Sequence, residues 1–414
     1  MAMNQTPAAE RVHISFFGRR NAGKSSIINA VTGQNLAIVS GVKGTTTDPV
    51  YKTMELLPLG PVMLIDTPGI DDEGELGNLR IQKTLQVLNK TDIAVLIIDS
   101  AAGLSATEET LISRFRAKNI PFLLVYNKID LNRSLPGNAA LSDTPGNPVS
   151  SDMPSVCVSA KDGTNIHELK ESIAALAPKE DKQKPLVSDL LKPLDLVLLV
   201  IPIDKAAPKG RLILPQQQTI RDILSCGATA LTVRDTEFPQ ALSGLLEKGI
   251  SPRLVITDSQ VFPFVAKHTP EHILLTSFSI LFARYKGNLE TLAEGASALD
   301  SLKRGDSVLI SEGCTHHRQC NDIGSVKLPK WIQEYVGEEL SFSFTSGTEF
   351  PQDLSPYKMI VHCGGCMLNE REMKYRIACA KDQGIPITNY GTLIAQIKGI
   401  LKRSLGPFDP GIYI

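Results

Sequence analysis

Two groups of residues in this chain of 414 residues could carry out chemistry. Residues 18–25 read Gly-Arg-Arg-Asn-Ala-Gly-Lys-Ser and fit the pattern of a loop that binds nucleotide phosphates. The second group combines thiols and imidazoles, the side chains that most often bind zinc and iron. Its members are Cys314, His316, His362, Cys363 and Cys366. The sequence therefore predicts a nucleotide site and a metal site in one chain.

The phosphate loop is flanked by the elements that such a loop requires. The apolar run Val12–Phe17 predicts a strand before it, and Ser26–Thr32 predicts a helix after it. Glycine backbone N–H groups can then wrap the phosphates at a helix N-terminus, while a lysine reaches the β- and γ-phosphates and a hydroxyl binds Mg²⁺. The residues predicted for these roles are Gly18, Gly23, Lys24 and Ser25.

Three further segments, each following a predicted strand, complete a guanine-nucleotide set. Asp66 is expected behind Mg²⁺, and the Gly69 N–H is expected at the γ-phosphate. The Asp130 carboxylate can accept two hydrogen bonds from guanine, a donor pair that adenine lacks, so GTP is predicted over ATP. The predicted nucleotide-binding residues of these segments are Asp66, Gly69, Asn127, Lys128, Asp130, Ser159, Ala160 and Lys161.

The amino-acid composition and net charge of the chain argue against several classes of protein. With 42% hydrophobic and 21% charged residues the chain is ordinary globular protein, and its net charge of −1 argues against a general affinity for nucleic acid or anionic membrane. Its first eleven residues lack an apolar signal core, and the longest apolar run, Leu194–Ile203, is too short to span a bilayer. Seven cysteines without an export signal predict reduced thiols in a cytoplasm.

Strands alternating with helices predict an α/β protein of several domains. We expect a disordered N-terminus at 1–10, a P-loop Ras-like GTPase domain at 11–177, a small parallel α/β domain at 186–268 and an α/β metal-cluster domain at 270–414. The middle domain is predicted to have three strands. Because a small sheet has edges that need covering, a second subunit is expected there, so this domain is interpreted as a dimerisation domain.

Two cysteines follow predicted parallel strands and should meet at one edge of a sheet. Cys314 lies four residues after Ile310, and Cys363 lies two after Val361. The carboxyl ends of parallel strands are where open α/β sheets build their sites. Cys363 and Cys366 form C-x-x-C, which suits zinc, an iron–sulfur cluster or a redox dithiol. Cys320 and Cys379 are further candidates.

Residues 11–177 resemble the potassium-dependent tRNA-modification GTPases and their Era-like relatives, through residues 18–26 and Gly44-Thr45-Thr46-Thr47-Asp48. The resemblance implies that Ser26 contacts the nucleotide and that Lys24, Thr46 and Gly69 are catalytic. It assigns Mg²⁺ to Ser25 and Thr46, and K⁺ to Asn21 and Thr45. Thr47 stands where the family usually has arginine.

Ile70 follows Gly69 where Ras-type enzymes place a water-orienting glutamine. An apolar side chain cannot orient water. Slow hydrolysis is therefore expected, with K⁺ supplying the charge that an arginine provides elsewhere.

The whole chain resembles the FeFe-hydrogenase H-cluster maturation GTPases. Cys314-Thr315-His316 is followed after 45 residues by His362-Cys363-Gly364-Gly365-Cys366. The resemblance implies a 4Fe–4S cluster on Cys314, Cys363 and Cys366, with the fourth ligand open between His316, His362 and a nearby acid. It also implies a homodimer or higher oligomer that carries a transient diiron subcluster, with radical-SAM maturation enzymes and apo FeFe-hydrogenase as partners.

The rival hypothesis is a tRNA- or ribosome-associated GTPase with a structural zinc site. The near-zero net charge and the lack of a basic or aromatic stripe weaken it. A helix is predicted from Gly391 to Arg403, and the basic residues Lys398, Lys402 and Arg403 are interpreted as a helix C-terminal face.

Overall fold

The chain divides into two units, Met1–Asp181 and Lys182–Ile414, and the boundary lies between the domains predicted at 11–177 and 186–268. This computed structural model describes residues 8–33, 49–70, 83–131, 153–177, 184–203, 212–313, 322–347 and 349–408. Within the predicted disordered N-terminus, Ala8–Glu10 form a 3-10 helix, and residues 1–7 lie outside the described residues.

The first unit is built on a six-stranded sheet of order β2-β3-β1-β4-β5-β6. All its strand pairs are parallel except β2 with β3. The strands are β1 Val12–Phe17, β2 Val50–Leu56, β3 Gly60–Asp66, β4 Ile93–Asp99, β5 Phe122–Asn127 and β6 Ser155–Cys157. The helices are Lys24–Thr32, Ala106–Ala117 and Ile166–Ala175, and residues 83–88 are also helical.

The central strands β1, β4 and β5 are buried along nearly their whole length, which explains their unbroken apolar sequences. Apolar clusters cover both faces of the sheet. The edge where the parallel strands end carries the phosphate loop and the guanine-reading segments.

The second unit contains two four-stranded parallel sheets, of order β10-β9-β7-β8 and β12-β11-β13-β14. The first has β7 Leu196–Val200, β8 Thr229–Val233, β9 Leu254–Thr257 and β10 Leu274–Ser277. The second has β11 Ser307–Glu312, β12 Ser341–Ser346, β13 Met359–His362 and β14 Ile387–Asn389. The α/β fold class predicted from the sequence is confirmed.

Nine α-helices accompany these sheets in the described part of the unit. They are Leu214–Ser225, Phe238–Glu247, Phe262–His268, Phe278–Lys286, Leu289–Ser297, Leu328–Val336, Glu370–Asp382, Tyr390–Ile397 and Leu401–Leu405.

Two sequence-based predictions are wrong in this unit. The middle sheet has four strands rather than three, because the short run β10 pairs with β9 and lies beyond position 268. The single helix predicted from Gly391 to Arg403 is two helices. Gly399 has φ of 66° after the first of them, a left-handed conformation that interrupts an α-helix and that glycine adopts without strain.

The two sheets of the second unit share one apolar core. Ile280 and Leu292, on consecutive helices, belong to the same buried cluster as Val200 of β7 and Ile360 of β13. The helix Phe278–Lys286 therefore packs into the core of both sheets and ends near the carboxyl ends of β11 and β13. No helix in the described part of the chain combines the length and apolar character needed to cross a bilayer.

Candidate nucleotide site and candidate metal centre

The phosphate loop encloses the ammonium group of Lys24. This side chain is buried, and its Nζ donates hydrogen bonds to the backbone oxygens of Gly18 at 3.0 Å and Arg19 at 2.8 Å. Gly23 has φ of 96°, and a Cβ there would lie 2.2 Å from Nδ2 of Asn127. Only glycine allows the loop to pass so close to β5, which fixes the start of the helix Lys24–Thr32.

Ser25 and Asp66 form the pair expected around Mg²⁺. The Ser25 hydroxyl donates to Asp66 Oδ2 at 2.7 Å, which joins the phosphate loop to the end of β3. Burial raises the pKa of Asp66, while the Ser25 hydrogen bond and the charges of Lys24 and Lys52 lower it. A hydroxyl beside a carboxylate is a suitable oxygen donor set for Mg²⁺.

The guanine-reading residues converge at the carboxyl ends of β5 and β6. Asp130 Oδ1 accepts from the Ser159 hydroxyl at 2.9 Å, and Lys161 Nζ lies 3.9 Å from Asp130 Oδ2. Asn127 does not face outward with them. Its Nδ2 donates to Ala22 O at 3.0 Å, and its Oδ1 accepts from the Ala160 N–H at 3.2 Å. Asn127 therefore ties the phosphate loop to the base-reading loop.

Lys128 is held by a partner on the neighbouring strand. Its Nζ contacts Asp99 Oδ2 at 2.7 Å, and its backbone has φ of 66°. Burial acts to raise the pKa of Asp99, yet hydrogen bonds from Lys128 and Ala101 hold that pKa below its usual value. The lysine stem is thereby fixed beside the base-reading carboxylate.

The remaining predicted site residues lie in or beside the phosphate loop, or outside the described residues. Asn21 is exposed with φ of 61°, Ser26 is exposed on the helix Lys24–Thr32, and Gly69 lies against the backbone of Arg20. Thr45 and Thr46 lie outside the described residues. Ile70 is buried in an apolar cluster with Phe17 and Ile65, which fits the expectation that it orients no water.

Sequence reasoning missed the support of the phosphate loop by Glu108. This carboxylate is fully buried and accepts from Arg19 Nε at 3.2 Å, while Arg19 Nη2 donates to Gly103 O at 3.2 Å. Glu108 also accepts from the Ser105 N–H at 2.8 Å as part of a capping box. The S-x-x-E pattern was a readable signal of that cap, although it gave no hint of the contact with Arg19.

Asp130→Asn tests the base-reading assignment. Hydrogen bonds to a charged group contribute about 1.5–3 kcal/mol, so GTP affinity should fall about tenfold to a hundredfold, with little change for ATP. Affinities are measured by competition against a fluorescent GTP analogue. Asp162→Asn is the matched control, because Asp162 is an exposed acid on the same loop as Ser159. Equal losses in both variants would contradict the assignment.

The candidate metal centre lies where β11 and β13 end side by side. Cys363 directly follows β13, and its Sγ accepts hydrogen bonds from the Gly313 N–H at 3.0 Å and the Gly365 N–H at 3.4 Å. Burial raises the pKa of Cys363 to about 11, and these two hydrogen bonds act in the opposite direction. Backbone N–H groups directed at sulfur are a common way of stabilising a metal-bound thiolate.

The loop from Cys363 to Cys366 is tightly constrained. Both cysteines are free thiols. Gly365 has φ of 62°, and a Cβ there would lie 2.6 Å from Sδ of Met373 on the following helix. Burial raises the pKa of Cys366, and the charge of Lys286 lowers it. The C-x-x-C segment is thus a tightly packed turn, and both of its sulfur atoms are partly buried.

Both ring nitrogens of His362 are engaged in the core. Nδ1 lies 2.7 Å from Cys363 O, and Nε2 lies 3.0 Å from Nη1 of the fully buried Arg376. Burial lowers the pKa of His362 to about 3, and the charge of Arg376 adds to that effect. A neutral ring that donates from Nδ1 and accepts at Nε2 has no nitrogen left for a metal, which argues against His362 as the fourth ligand.

Arg376 itself connects the ends of three strands. Its guanidinium donates to Ser311 Oγ at 3.1 Å, to Gly347 O at 2.8 Å and, through Nε, to Glu372 at 2.9 Å. No sequence pattern indicates this role, because Arg376 lies among several charged residues on the helix Glu370–Asp382.

Cys314, His316 and Cys320 lie outside the described residues, so their predicted roles stay predictions. Cys379 packs against the apolar core shared by the two sheets, away from the C-x-x-C turn. Among the described residues, no group of three or more His, Cys, Asp or Glu could hold a metal ion.

Comparison with known families decides the relationship. Residues 186–287 match the hydrogen maturase F dimerization domain, and residues 290–407 match the hydrogen maturase F tetramerization domain. The chain belongs to the hydrogen maturase F family. Residues 13–128 match the model of a 50S ribosome-binding GTPase. The GTPase domain supports GTP binding and hydrolysis, and the two maturase domains support homo-oligomer formation, as the sequence predicted.

Curated relatives resemble this chain over part of its length. The tRNA modification GTPase MnmE of Paraburkholderia xenovorans is 32% identical over 169 residues, which are 41% of this chain and 35% of that protein. MnmE of Herminiimonas arsenicoxydans is 35% identical over 136 residues, which are 32% of this chain and 29% of that protein. This chain therefore spans about a third of the length of these relatives. The match to a crystal structure of Era from Aquifex aeolicus covers 54% of this chain and 92% of the Era chain, with 20% sequence identity and a TM-score of 0.35.

Proposed function

We propose that this chain is a GTP-hydrolysing scaffold and carrier for H-cluster assembly. It would bind a 4Fe–4S cluster, receive a diiron subcluster built by radical-SAM maturation enzymes, and deliver it to apo FeFe-hydrogenase. The observation that carries the proposal is the turn after β13, where Cys363 Sγ accepts an N–H from Gly313, the last described residue before Cys314. Membership of the hydrogen maturase F family supports a role in hydrogenase maturation.

The proposed cluster ligands are Cys314, Cys363 and Cys366. Soft thiolates suit iron–sulfur chemistry, and the N–H groups of Gly313 and Gly365 would stabilise the sulfur of Cys363 as a thiolate. A cluster held by three cysteines supplies one iron with an exchangeable position. Since His362 is engaged with Arg376, His316 is the histidine that we propose for that position.

In the nucleotide site we propose distinct roles for the loop residues. Lys24 would neutralise charge on the β- and γ-phosphates, Ser25 and Thr46 would bind Mg²⁺, and Asp66 would orient the Mg²⁺ shell through Ser25. The Gly69 N–H would contact the γ-phosphate. Asn21 and Thr45 would hold K⁺, whose charge would replace an arginine at the transition state.

Hydrolysis is expected to be about tenfold or more faster in K⁺ than in Na⁺ at equal ionic strength, because one cation at the developing charge contributes substantially to catalysis. Phosphate release is measured in both salts. Asn21→Ala should remove the difference. Asn119→Ala is the matched control, since Asn119 is also exposed with positive φ, at 50°, and lies after the helix Ala106–Ala117. Identical wild-type rates in the two salts would exclude the potassium role.

The second candidate is a tRNA- or ribosome-associated GTPase with a zinc site, which the similarity of residues 13–128 to ribosome-binding GTPases favours. Such a GTPase would need a basic surface for RNA. Of the basic residues Lys398, Lys402 and Arg403, two contact other residues of this chain. Arg403 donates to the backbone oxygens of Ala266, Thr269 and Pro270, and Lys398 lies over the Trp331 ring.

Metal analysis of protein purified without oxygen separates the two functions. The scaffold proposal predicts a brown protein with about four iron and four labile sulfide per chain after reconstitution. Stoichiometric zinc with no iron would favour the tRNA- or ribosome-associated GTPase.

A further inference from the structure

Lys286 is a buried lysine at the end of the helix Phe278–Lys286. Its side chain is only 3% exposed, and most other residues of this helix are buried and apolar. A buried ammonium group costs several kcal/mol unless hydrogen bonds or opposite charge compensate it. The groups that compensate this buried charge therefore show what it acts on.

The hydrogen bonds of Lys286 converge on the C-x-x-C turn. Its Nζ donates to Gly365 O at 3.3 Å, to Cys366 O at 3.2 Å and to Leu368 O at 2.9 Å. These acceptors lie about eighty residues further along the chain, so the contact is not a local cap of the lysine's own helix. The turn that carries both cysteines is thus folded around one ammonium group.

The opposite side of the turn is fixed by uncharged contacts. Met373 packs against Gly365, and the Asn369 side chain caps the next helix by accepting from Glu372 N–H at 3.1 Å. A buried carboxylate also faces the site, since Glu312 accepts from the Tyr390 hydroxyl at 3.1 Å and its charge acts on Cys363. The positive charge of Lys286 lowers the pKa of Cys366, whereas the negative charge of Glu312 raises the pKa of Cys363.

We propose that Lys286 is a positioning residue for the cluster site, which holds the C-x-x-C turn in ligand geometry and raises the reduction potential of the bound cluster. The inference rests on the proposed function. Thiolate-ligated clusters are anionic, and uptake of one electron from an external reductant adds a further negative charge. A fixed cation in a poorly solvated setting favours the reduced form, because interactions between charges are strong where water is excluded.

The test compares substitutions that separate charge from hydrogen bonding. Lys286→Gln keeps N–H donors but removes the charge, Lys286→Met removes both, and Lys286→Arg keeps both. Full-length proteins are reconstituted with iron and sulfide without oxygen, and their potentials are measured by dithionite titration followed by EPR. Lys286→Gln should lower the equilibrium constant for reduction at least about tenfold, or about 59 mV for a one-electron couple. Lys286→Met should retain less iron, and Lys286→Arg should resemble the wild type.

Arg284→Met is the matched control. It removes one positive charge from the same helix, but Arg284 contacts Asp189 and lies over the Phe408 ring rather than the turn. Loss of iron from both the Gln and Met variants, with iron kept by Lys286→Arg and Arg284→Met, would support the positioning role. Wild-type iron content and potential in both neutral variants, or an equal shift in Arg284→Met, would overturn the inference. A wild-type protein without iron would instead refute the proposed function itself.

Discussion

Lys24→Ala is expected to reduce GTP hydrolysis at least about a hundredfold while leaving the fold intact. The physical reason is that phosphoryl transfer spreads charge over the γ-phosphate oxygens, and removing one electrostatic contact to the developing charge costs on the order of 10²–10³ in rate. The Nζ of Lys24 lies inside the phosphate loop, within 3.0 Å of Gly18 O. It is therefore already placed where the phosphates of a bound nucleotide would lie.

The measurement is single-turnover GTP hydrolysis with saturating Mg²⁺ and K⁺, together with a thermal unfolding curve. Lys118→Ala is the control, since Lys118 is an exposed lysine that follows the helix Ala106–Ala117 of the same domain. Its turnover should match the wild type. Unchanged turnover in Lys24→Ala, with GTP bound, would show that the loop is not the catalytic phosphate site.

The nucleotide site could be predicted closely because its chemistry depends on short sequence patterns. A strand is present before each site segment as predicted, including Val12–Phe17, Gly60–Asp66 and Phe122–Asn127. What the patterns could not show is which side chains face the nucleotide. Asn127 looks like a base-reading residue, yet its amide joins two backbone loops, because Gly23 brings the phosphate loop within contact of β5.

The sequence predicts Cys363 just after a parallel strand, which the structure shows, but it does not predict the residues that support the C-x-x-C turn. β11 and β13 pair in parallel, as the prediction of one site at their carboxyl ends requires. Lys286 and Arg376 could not be identified from the sequence, since their partners lie on other elements and depend on how two sheets share one core. The role of His362 could not be identified from the sequence either. Its residue type suits a metal ligand, whereas its contacts are those of a neutral residue in the core.

The break between the helices Tyr390–Ile397 and Leu401–Leu405 shows a second limit. Helical periodicity continues across it, so the sequence predicts one helix, whereas Gly399 takes a left-handed conformation and the chain turns. The turn allows Arg403 to reach the backbone oxygens of Ala266 and Thr269 on another element. Tertiary hydrogen bonds of this kind decide where a helix ends when its local sequence preferences are weak.

Serine at any one of the three proposed ligands Cys314, Cys363 and Cys366 is expected to eliminate most of the bound iron. A hydroxyl is a poor replacement for a thiolate on soft iron–sulfur chemistry. Loss of an outer partner of a metal ligand already costs about 10- to 100-fold in affinity, so loss of a ligand should cost at least that much. Iron, labile sulfide and the EPR signal of the reduced protein are measured after anaerobic reconstitution.

Cys226→Ser is the matched control for these variants. Cys226 is a free thiol whose Sγ contacts Ile223 O at 3.1 Å, a contact that a serine hydroxyl can replace, and it lies after a helix of the middle sheet. It should keep its iron, and Cys157→Ser should do the same because Cys157 ends β6 of the GTPase sheet. GTP hydrolysis should persist in all five variants, since the nucleotide site has its own sheet and apolar clusters, and it serves as the measure of folding. If iron persisted in the Cys363 and Cys366 variants while hydrolysis stayed intact, the C-x-x-C turn would not be the cluster site, and the scaffold function would lose the observation that carries it.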